Sequence, residues 1–354
     1  MTGKKTLLHI VDSLGRGGAE TLLVGVIKST PELEHIIISL KPYNEFGDEL
    51  VDIKTYFLDL KWYHSIPRIV YQVKKIIFQH QIDIIHAHLF WSVIISRLTC
   101  PINVKLINSY HAVLYGVGKY PNYARLLDKL TYTAKVTTLC VSNEVKKNIN
   151  EFVGIKSNVF VLYNFIDDAF YNNFRPVPKI KEPLKMVAVG NLKKDKNYEV
   201  IINAFSELDA SLVHKVSLDI YGKGPLLDEL KNNCLQKNIF NISLKGTVAN
   251  VSAVLPKYDV FIISSTSEGF GLAVVEAMAV GLPVIVSDIP TLREVTGGYA
   301  LFFNPLSATD LSEKIKAIVS GEVDLLTLAG SGYRYSERYT KRAYLEKLMA
   351  YYLN

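Results

Sequence analysis

The chain has 354 residues, which is enough for two domains that each have their own hydrophobic core. Hydrophobic residues make up 49% and the mean hydropathy is +0.16, but no run reaches the ~20 uncharged apolar residues of a membrane span. The net charge of +6 does not by itself indicate a nucleic-acid-binding protein, and three scattered cysteines without metal-ligand spacing favour a reducing, cytosolic setting.

Short apolar runs alternate with longer amphipathic stretches along the whole chain, beginning with an N-terminal run that predicts a strand rather than a signal peptide. The predicted strands of the first half are 7–11, 35–40, 55–58, 82–86, 105–109 and 138–141. Those of the second half are 185–189, 215–221, 242–245, 260–263, 284–287 and 300–303. The alternation predicts an α/β protein with two doubly wound, Rossmann-like halves that bind a ligand in a central cleft, at the carboxyl ends of the strands.

The predicted domain boundaries follow from composition. Residues 1–174 form the first domain, and residues 175–183, with three prolines and four charged side chains, form a linker. Residues 184–334 form the second domain. The tail 335–354 has a helical pattern rich in Tyr and Leu, and we expect it to pack back onto the first domain.

A glycine turn follows the first predicted strand. It contains Gly17 and Gly18 and opens onto a helix, an arrangement that suits an anion because helix N-termini present free N–H groups. The dinucleotide fingerprint needs a third glycine where this chain has Glu20, so an NAD site is not predicted. A tight strand–helix turn without a ligand is the alternative.

Basic residues are concentrated between Lys61 and Lys147, where twelve basic side chains face only three acidic ones, a local excess of nine positive charges. A basic surface edged with aromatic side chains suits an anionic membrane face or a lipid phosphate. No nucleic-acid-binding motif is present. The alternative is an ordinary basic surface with core aromatics. The aromatic residues in this region are Trp62, Tyr63, Tyr71, Phe78, Trp91, Tyr110, Tyr115, Tyr120 and Tyr123.

Three histidines lie at the ends of predicted strands in the first half. His86 and His88 are two residues apart, but no third ligand is evident in the sequence, so a metal site is not predicted. His111 is the candidate for contact with a substrate in the cleft, and a hydrogen-bonded structural histidine is the alternative.

A glycine turn with three lysines follows the first strand of the second half. Gly190 and Asn191 precede Lys193, Lys194 and Lys196, which lie where a diphosphate could be neutralised. A solvated lysine run is the alternative. No Asp-x-Asp occurs in the chain, so we expect neither a metal nor another cofactor, and the charge of a leaving diphosphate would be met by Lys196, helix dipoles and backbone N–H groups.

Two glutamates eight positions apart, Glu268 and Glu276, form the most informative pattern. Glu268 lies in a glycine loop after a predicted strand, and Glu276 lies about a turn and a half into the following helix. The two carboxylates can therefore contact different parts of one ligand. The alternative is a solvated loop residue and a buried helix carboxylate.

Taken together, these motifs resemble those of the retaining GT-B glycosyltransferases of family 4. The resemblance runs from the Gly17–Glu20 turn through His111, the Gly190–Lys196 loop and the Tyr221–Pro225 turn to the Glu268–Glu276 block with its Glu-Ala-Met-Ala continuation. It implies a hexosyl-type transferase that moves a sugar from a nucleotide-sugar donor, most often a UDP-sugar, to a lipid-linked glycan in capsule, exopolysaccharide or O-antigen synthesis. It also implies a metal-independent, cytoplasmic enzyme that is peripheral on the inner face of the membrane.

The resemblance assigns roles residue by residue. Glu268 would lie near the transferred sugar and His111 would contact that sugar, while Glu276 would hold the ribose hydroxyls and Lys196 the diphosphate. Gly17 and Gly18 would let donor and acceptor approach. Asn191 departs from the arginine common in the family, so either Lys193 or Lys194 compensates or phosphate binding is weaker. The remaining donor-binding candidates, through their N–H groups, are Gly269, Phe270, Gly271 and Leu272.

Two other functions fit the same scaffold. One is a nucleotide-sugar 2-epimerase, against which the basic and aromatic region argues. The other is a non-catalytic nucleotide-sugar-binding protein, against which the presence of both glutamates with Lys196 and His111 argues.

Overall fold

Residues 4–61, 63–116, 121–175 and 182–353 are described by a computed structural model in which the chain folds as two units. The first unit holds the chain up to Asn164 together with the segment from Tyr344 onward, and the second runs from Phe165 to Ala343. The division differs from the predicted boundary after residue 174, because the intervening segment bonds to the second unit: the Ile166 N–H donates to Tyr339 O at 2.8 Å. Residues 176–181 of the predicted linker lie outside the described residues.

The first unit contains a seven-stranded parallel sheet of order β3-β2-β1-β4-β5-β6-β7. Its strands are β1 (Thr6–Val11), β2 (Glu34–Ser39), β3 (Lys54–Phe57), β4 (Ile84–His88), β5 (Lys105–Tyr110), β6 (Thr137–Cys140) and β7 (Val159–Val161). Its helices are α1 (Gly18–Ser29), α2 (Ile66–Gln79), α3 (Phe90–Thr99), α4 (Asn122–Thr131) and α5 (Asn143–Val153).

The second unit contains a six-stranded parallel sheet of order β10-β9-β8-β11-β12-β13. Its strands are β8 (Leu184–Val189), β9 (Val216–Tyr221), β10 (Ile242–Gly246), β11 (Val260–Ile263), β12 (Val284–Ser287) and β13 (Leu301–Phe303). The helices that follow in chain order are α6 (Asp168–Asn172), α7 (Tyr198–Ser206), α8 (Ala210–Val213), α9 (Leu227–Gln236), α10 (Val251–Val254), α11 (Leu272–Ala279), α12 (Pro290–Thr296), α13 (Ala308–Val319), α14 (Leu325–Ser336) and α15 (Lys341–Leu353).

Both sheets have the doubly wound order predicted from the alternation of strands and helices, so the fold class is confirmed. In such sheets successive strands are added first on one side of the starting strand and then on the other. This switch point lies between β1 and β4 in the first sheet and between β8 and β11 in the second, and ligands bind beyond the carboxyl ends of those strands. The loops after β8 and β11 are those in which the sequence places Lys196 and Glu268. Each predicted strand is present, although β4 is shifted towards His88 and β7 was missed.

The C-terminal tail is not one continuous helix. α14 ends at Ser336, a short turn of 3-10 helix follows, and α15 begins at Lys341. Within α15 the side chains of Tyr344, Leu348 and Tyr352 are buried, and their spacing of four residues forms one stripe that packs into the first unit. Among the described helices, none combines the length and the apolar character that crossing a bilayer requires.

Candidate functional site

The loops after β8 and β11 are joined by hydrogen bonds. The Ser264 hydroxyl donates to the Lys196 carbonyl at 2.7 Å, and the Thr266 N–H donates to Asp195 O at 2.9 Å. These bonds hold Lys196 beside Glu268, and the Lys196 ammonium donates to the Glu268 carboxylate at 2.5 Å. The lysine is 23% exposed and the glutamate 10%, so the pair is partly shielded from solvent yet accessible from one side.

Glu268 is fixed by further contacts. The Ser265 hydroxyl donates to its carboxylate at 2.7 Å, and the Thr291 hydroxyl donates to its backbone carbonyl at 2.9 Å. The loop then reaches Gly271, whose φ of +82° lies in the left-handed region that favours glycine, and α11 begins at Leu272. The N–H groups at the start of α11 consequently face the same loop that holds the ion pair, which makes this corner suited to an anion.

Glu276 lies on α11 and differs from Glu268 in its surroundings. It keeps part of its surface exposed, but burial of its carboxyl group, with a smaller contribution from the nearby Asp167 carboxylate, raises its pKa to about 7. Among the described residues no hydrogen-bond partner holds this carboxyl group. It is therefore an acceptor available to hydroxyl groups of a ligand, in a place where charge is costly without one.

The two glycines after β9 allow the backbone there to pack closely against the backbone of the loop after β8. A Cβ on Gly222 would lie 1.9 Å from the Gly190 carbonyl oxygen, and a Cβ on Gly224 would lie 2.4 Å from Leu192 O. The backbone of the Gly190–Lys196 loop thus packs directly against the Tyr221–Pro225 turn. This contact gives a structural reason for the glycines of that turn. Asn191, Lys193 and Lys194 are exposed, whereas Lys196 is half-buried.

Phe270 and Gly269 complete the loop before α11. Phe270 is buried and meets the Tyr339 ring edge-on, with ring centroids 5.3 Å apart. The structure therefore brings Lys196, Glu268 and the segment through Leu272 to one corner of the second unit, with Glu276 on the adjoining helix.

His111 lies in the first unit, beside a cavity of about 130 Å³. Burial lowers the pKa of His111 to about 4, so its imidazole is neutral near pH 7 and can donate or accept a hydrogen bond without carrying charge. Its Nε2 is 3.2 Å from Nδ1 of His88. The cavity is lined by Asp12, Leu89, Phe90, Tyr110, His111, Ala112 and Leu114.

Asp12 and Leu89 line this cavity and were not predicted from the sequence. Asp12 follows β1 and accepts hydrogen bonds from the Ser92 N–H at 2.8 Å and the Ser92 hydroxyl at 2.7 Å, while burial raises its pKa. Leu89 follows β4 with φ of +72°, a strained conformation for a branched residue and one that is common at functional sites. Their positions directly after the two switch-point strands were the available signal.

Gly17 and Gly18 begin α1 after β1. A Cβ on Gly17 would lie 2.4 Å from the Glu20 carboxylate, so a larger residue there would displace the end of this buried side chain. Gly18 is the first residue of α1. The turn thus has a structural reason of its own, in a different unit from Lys196 and the two glutamates.

The basic region of the first unit is partly a surface and partly core. Arg97 and Asp128 form an ion pair at 2.6 Å with side chains 1% and 0% exposed, so neither contributes to surface charge. Tyr110 and Tyr115 donate to the same carboxylate at 2.7 and 2.8 Å and belong to this buried network, which corrects their assignment to the surface. Trp62, Lys119, Tyr120 and the side chain of Tyr63 lie outside the described residues.

An exposed aromatic and basic surface nonetheless remains. On α4, Tyr123, Leu126 and Leu130 are 48%, 55% and 72% exposed and lie three and four residues apart, so they form one apolar stripe. Arg125 and Lys129 are exposed on the same helix. The buried Asp128 anchors the opposite face of α4 to Arg97.

His86 and His88 do have a third imidazole beside them, contrary to the sequence-based expectation. His9, on the neighbouring strand β1, is paired in register with His86, and one ring nitrogen from each of the three lies within 4.8 Å of the others. The sequence did not reveal this because His9 belongs to a strand far away along the chain.

Comparisons with known proteins cover nearly the whole chain. A profile of glycosyl transferases group 1 matches residues 170–343, and a profile of glycosyltransferase family 4 matches residues 16–170. The chain is 25% identical over 344 residues to an uncharacterized glycosyltransferase of Methanocaldococcus jannaschii, covering 92% of this chain and 91% of that protein. It is 26% identical over 203 residues to N-acetyl-alpha-D-glucosaminyl L-malate synthase of Bacillus anthracis, covering 54% and 52%. The structure of Anabaena HepE, solved with UDP, superimposes with a TM-score of 0.84 at 16% identity over 98% of each chain.

Proposed function

The chain belongs to the family 4-like glycosyltransferases of the GT-B fold, and from this premise we propose that it transfers a hexosyl group from a nucleotide-sugar, with retention of configuration, to a lipid-linked glycan. The donor is held by the second unit, through Lys196, Glu268 and Glu276. The observation that supports this most directly is the Lys196–Glu268 ion pair at the switch point of the second sheet, next to the N-terminus of α11.

We propose that the donor diphosphate replaces Glu268 as the ion-pair partner of Lys196. Without donor, the lysine ammonium is neutralised by Glu268 at 2.5 Å. A diphosphate carries more negative charge than one carboxylate, and N–H groups of Gly269, Phe270, Gly271 and Leu272 add to the attraction. Lys196 would then turn to the phosphate and leave Glu268, still held by Ser265, free to contact the sugar.

The two glutamates have separate tasks in this proposal. Glu276 accepts hydrogen bonds from the ribose hydroxyls through its carboxyl group, and Glu268 positions and polarises the sugar. Attack then occurs on the face from which the phosphate departs, and the departing phosphate assists the acceptor hydroxyl as base. Lys196 and the α11 N–H groups stabilise the charge that develops on the leaving diphosphate, so no divalent cation is needed in this step.

A UDP-sugar is the donor we propose, with a GDP-sugar as the alternative. The Anabaena protein of the same fold has been solved with UDP and with UDP-glucose. The exposed α4 stripe with its basic neighbours supports an acceptor at an anionic membrane surface, on the cytoplasmic side, because apolar side chains and lysine or arginine together bind such surfaces. This would place the enzyme in surface-polysaccharide synthesis.

Glu268→Ala tests the proposal. We expect the turnover of a UDP-sugar with a lipid-linked acceptor to fall by about 100-fold, as when one stabilising group of a transition state is lost. Thermal unfolding of the variant should still be cooperative. UDP should still raise its melting temperature, since the nucleotide contacts remain. Glu199→Ala, an exposed glutamate on α7, is the matched control and should keep full turnover.

The same assay separates the other functions on this scaffold. Epimer formed from donor alone would identify a 2-epimerase, and nucleotide binding without turnover in the wild type would identify a binding protein. Loss of transfer when magnesium and manganese are withheld, with recovery on their addition, would contradict the metal-free donor site.

A further inference from the structure

Five of the histidines form a continuous buried cluster on one face of the first sheet. His9 and His35 are stacked with ring centroids 5.3 Å apart, His86 and His88 lie 4.0 Å apart, and His111 follows His88 at 5.4 Å. The cluster lies at the switch point between β1 and β4. Buried polar groups normally have hydrogen-bond partners, so the nitrogens without one need an explanation.

The tautomers of two rings can be derived from their partners. The Thr30 carbonyl can only accept, so Nε2 of His35, 3.0 Å away, carries its proton. In the neutral ring, Nδ1 of His35 is then an acceptor, and Nε2 of His9 donates to it at 3.1 Å. Nδ1 of His9 is consequently a bare lone pair. It is buried and has no hydrogen-bond partner among the described residues.

His88 presents a second such atom. Its Nδ1 is hydrogen-bonded to Nε2 of His111 at 3.2 Å, while its own Nε2 is buried and has no partner within the part of the chain that the structure describes. When His88 donates from Nδ1, its Nε2 is also a bare lone pair.

His86 completes the group. It is hydrogen-bonded to the Tyr352 hydroxyl through Nδ1 and to the Ser109 hydroxyl through Nε2, both at 2.7 Å. If one of these two hydrogen bonds is given up, that nitrogen of His86 becomes available to a metal ion. The other ring nitrogen then keeps its proton and donates to the remaining hydroxyl. One nitrogen from each of His9, His86 and His88 lies within 4.8 Å of the others. Zinc–imidazole bonds of about 2.0–2.1 Å place two ligand nitrogens roughly 3.3 Å apart. Rotation of the rings would therefore have to shorten each nitrogen–nitrogen distance by roughly 1.5 Å at most.

We propose that His9, His86 and His88 form a buried binding site for a transition-metal ion of the zinc class. Three imidazoles without a carboxylate suit Zn²⁺, Co²⁺ or Ni²⁺ and do not suit Mg²⁺ or Ca²⁺, which prefer oxygen ligands. The outer partners match those of a metal site, since each ligand ring would donate its other N–H: His9 to His35, His88 to His111, and His86 to a hydroxyl. The three ligands lie on β1 and β4 of the first unit, and the proposed donor loops belong to the second unit, so the metal proposal does not depend on the proposed function. His88 is nevertheless hydrogen-bonded to His111, the residue that the resemblance assigns to the sugar.

Metal binding to tag-free, full-length protein tests this site. After treatment with a chelator, the protein should bind one Zn²⁺ per chain, measured by elemental analysis and calorimetry. Co²⁺ in its place should give the intense visible absorption of a four-coordinate nitrogen site, with added Zn²⁺ displacing it. Zinc should also raise the melting temperature of the wild type.

Two variants separate ligands from surroundings. His9→Phe keeps the core filled and should lower the affinity by more than about 100-fold, whereas His35→Phe removes only an outer partner and should lower it by about 10- to 100-fold. His214→Gln, at an exposed histidine of the second unit, should bind as the wild type does. Wild-type protein that binds no stoichiometric metal, or a folded His9→Phe variant with unchanged affinity, would overturn the proposal, and the wild-type measurement decides even if His9→Phe does not fold.

Discussion

At the scale of single residues, Lys196 and Glu268 show what sequence reasoning could and could not reach. Their positions after predicted strands and beside glycines identified both as ligand candidates. Their direct ion pair could not be predicted, because 72 residues separate them and only the order of strands in the sheet brings their loops together. His9 was missed for the same reason: it becomes a neighbour of His86 through strand pairing alone.

Glu276 should make donor binding depend on pH. Burial raises its pKa to about 7, and the ionised carboxylate is the better acceptor for ribose hydroxyls, so donor affinity should weaken as the pH falls below about 7. Binding near neutral pH should release a proton. Calorimetry at about pH 6 and about pH 8, in buffers of different ionisation enthalpy, measures both effects. Glu276→Gln should weaken binding at about pH 8 by about tenfold and abolish its pH dependence; an unchanged pH profile in this variant would refute the role.

At the scale of elements, the parallel strands were predictable because each is a short apolar run with glycine or polar residues at its ends. β4 is the instructive difference: the Asp83 carboxylate accepts the Thr6 N–H at 2.7 Å, so the strand starts after it and extends to His88. β7, a strand of three residues, was not predicted. The break before α15 was missed too, because the tail has no glycine or proline to mark it.

The turn after β9 should control the lysine loop. In Gly222→Ala the new Cβ would lie 1.9 Å from the Gly190 carbonyl oxygen, so the loop carrying Lys196 must move. We expect a loss of about 1–3 kcal/mol in the free energy of unfolding, together with weaker UDP binding. Gly330→Ala on α14 is the control. A Cβ there meets nothing within 4 Å, so this variant should be about 0.5–1 kcal/mol more stable with unchanged UDP binding. Chemical unfolding and nucleotide titration distinguish the two.

α4 should attach the enzyme to anionic membranes. Replacing Leu126 and Leu130 together by Ser removes two exposed apolar side chains from its stripe, and we expect a loss of about 10- to 100-fold in liposome affinity without loss of stability. High salt should release the wild type as well, because it screens Arg125 and Lys129. Phe240→Ser, at a residue 79% exposed in the second unit, is the control in co-sedimentation. Equal sedimentation of the double variant and the wild type would show that α4 is not the attachment surface.

At the scale of the whole molecule, the two units should respond to acid in opposite ways. In the first unit, burial lowers the pKa of His9, His35, His86 and His88 and lowers that of His111 to about 4, whereas unfolded histidines titrate near 6.5. Between these values the unfolded chain binds more protons, so stability is lost as the pH falls, by up to about 1.4 kcal/mol per pH unit for each histidine. In the second unit the raised pKa of Glu276 has the opposite effect, since stability is lost as the pH rises towards 7.

Tryptophan fluorescence measures this difference, because the chain has two tryptophans, Trp91 on α3 of the first unit and Trp62, which precedes α2 in the sequence. In metal-free protein the fluorescence-detected melting temperature should fall steadily between about pH 7 and about pH 5. The melting temperature of the second unit, followed by far-UV circular dichroism, should not fall over the same pH range. A fluorescence transition that stays constant over this range would mean that the buried rings are already protonated or are exposed.

The hydroxyl of Tyr352 next to His86 has a consequence for how the polypeptide matures on the ribosome. Translation delivers the first sheet early, yet the stripe of α15 that covers it emerges only after every residue of the second unit has been made. Domains usually fold in the order of their synthesis. Here the contiguous second unit can finish ahead of the first, and a nascent chain interrupted before Tyr344 would display an uncovered imidazole surface to chaperones and proteases.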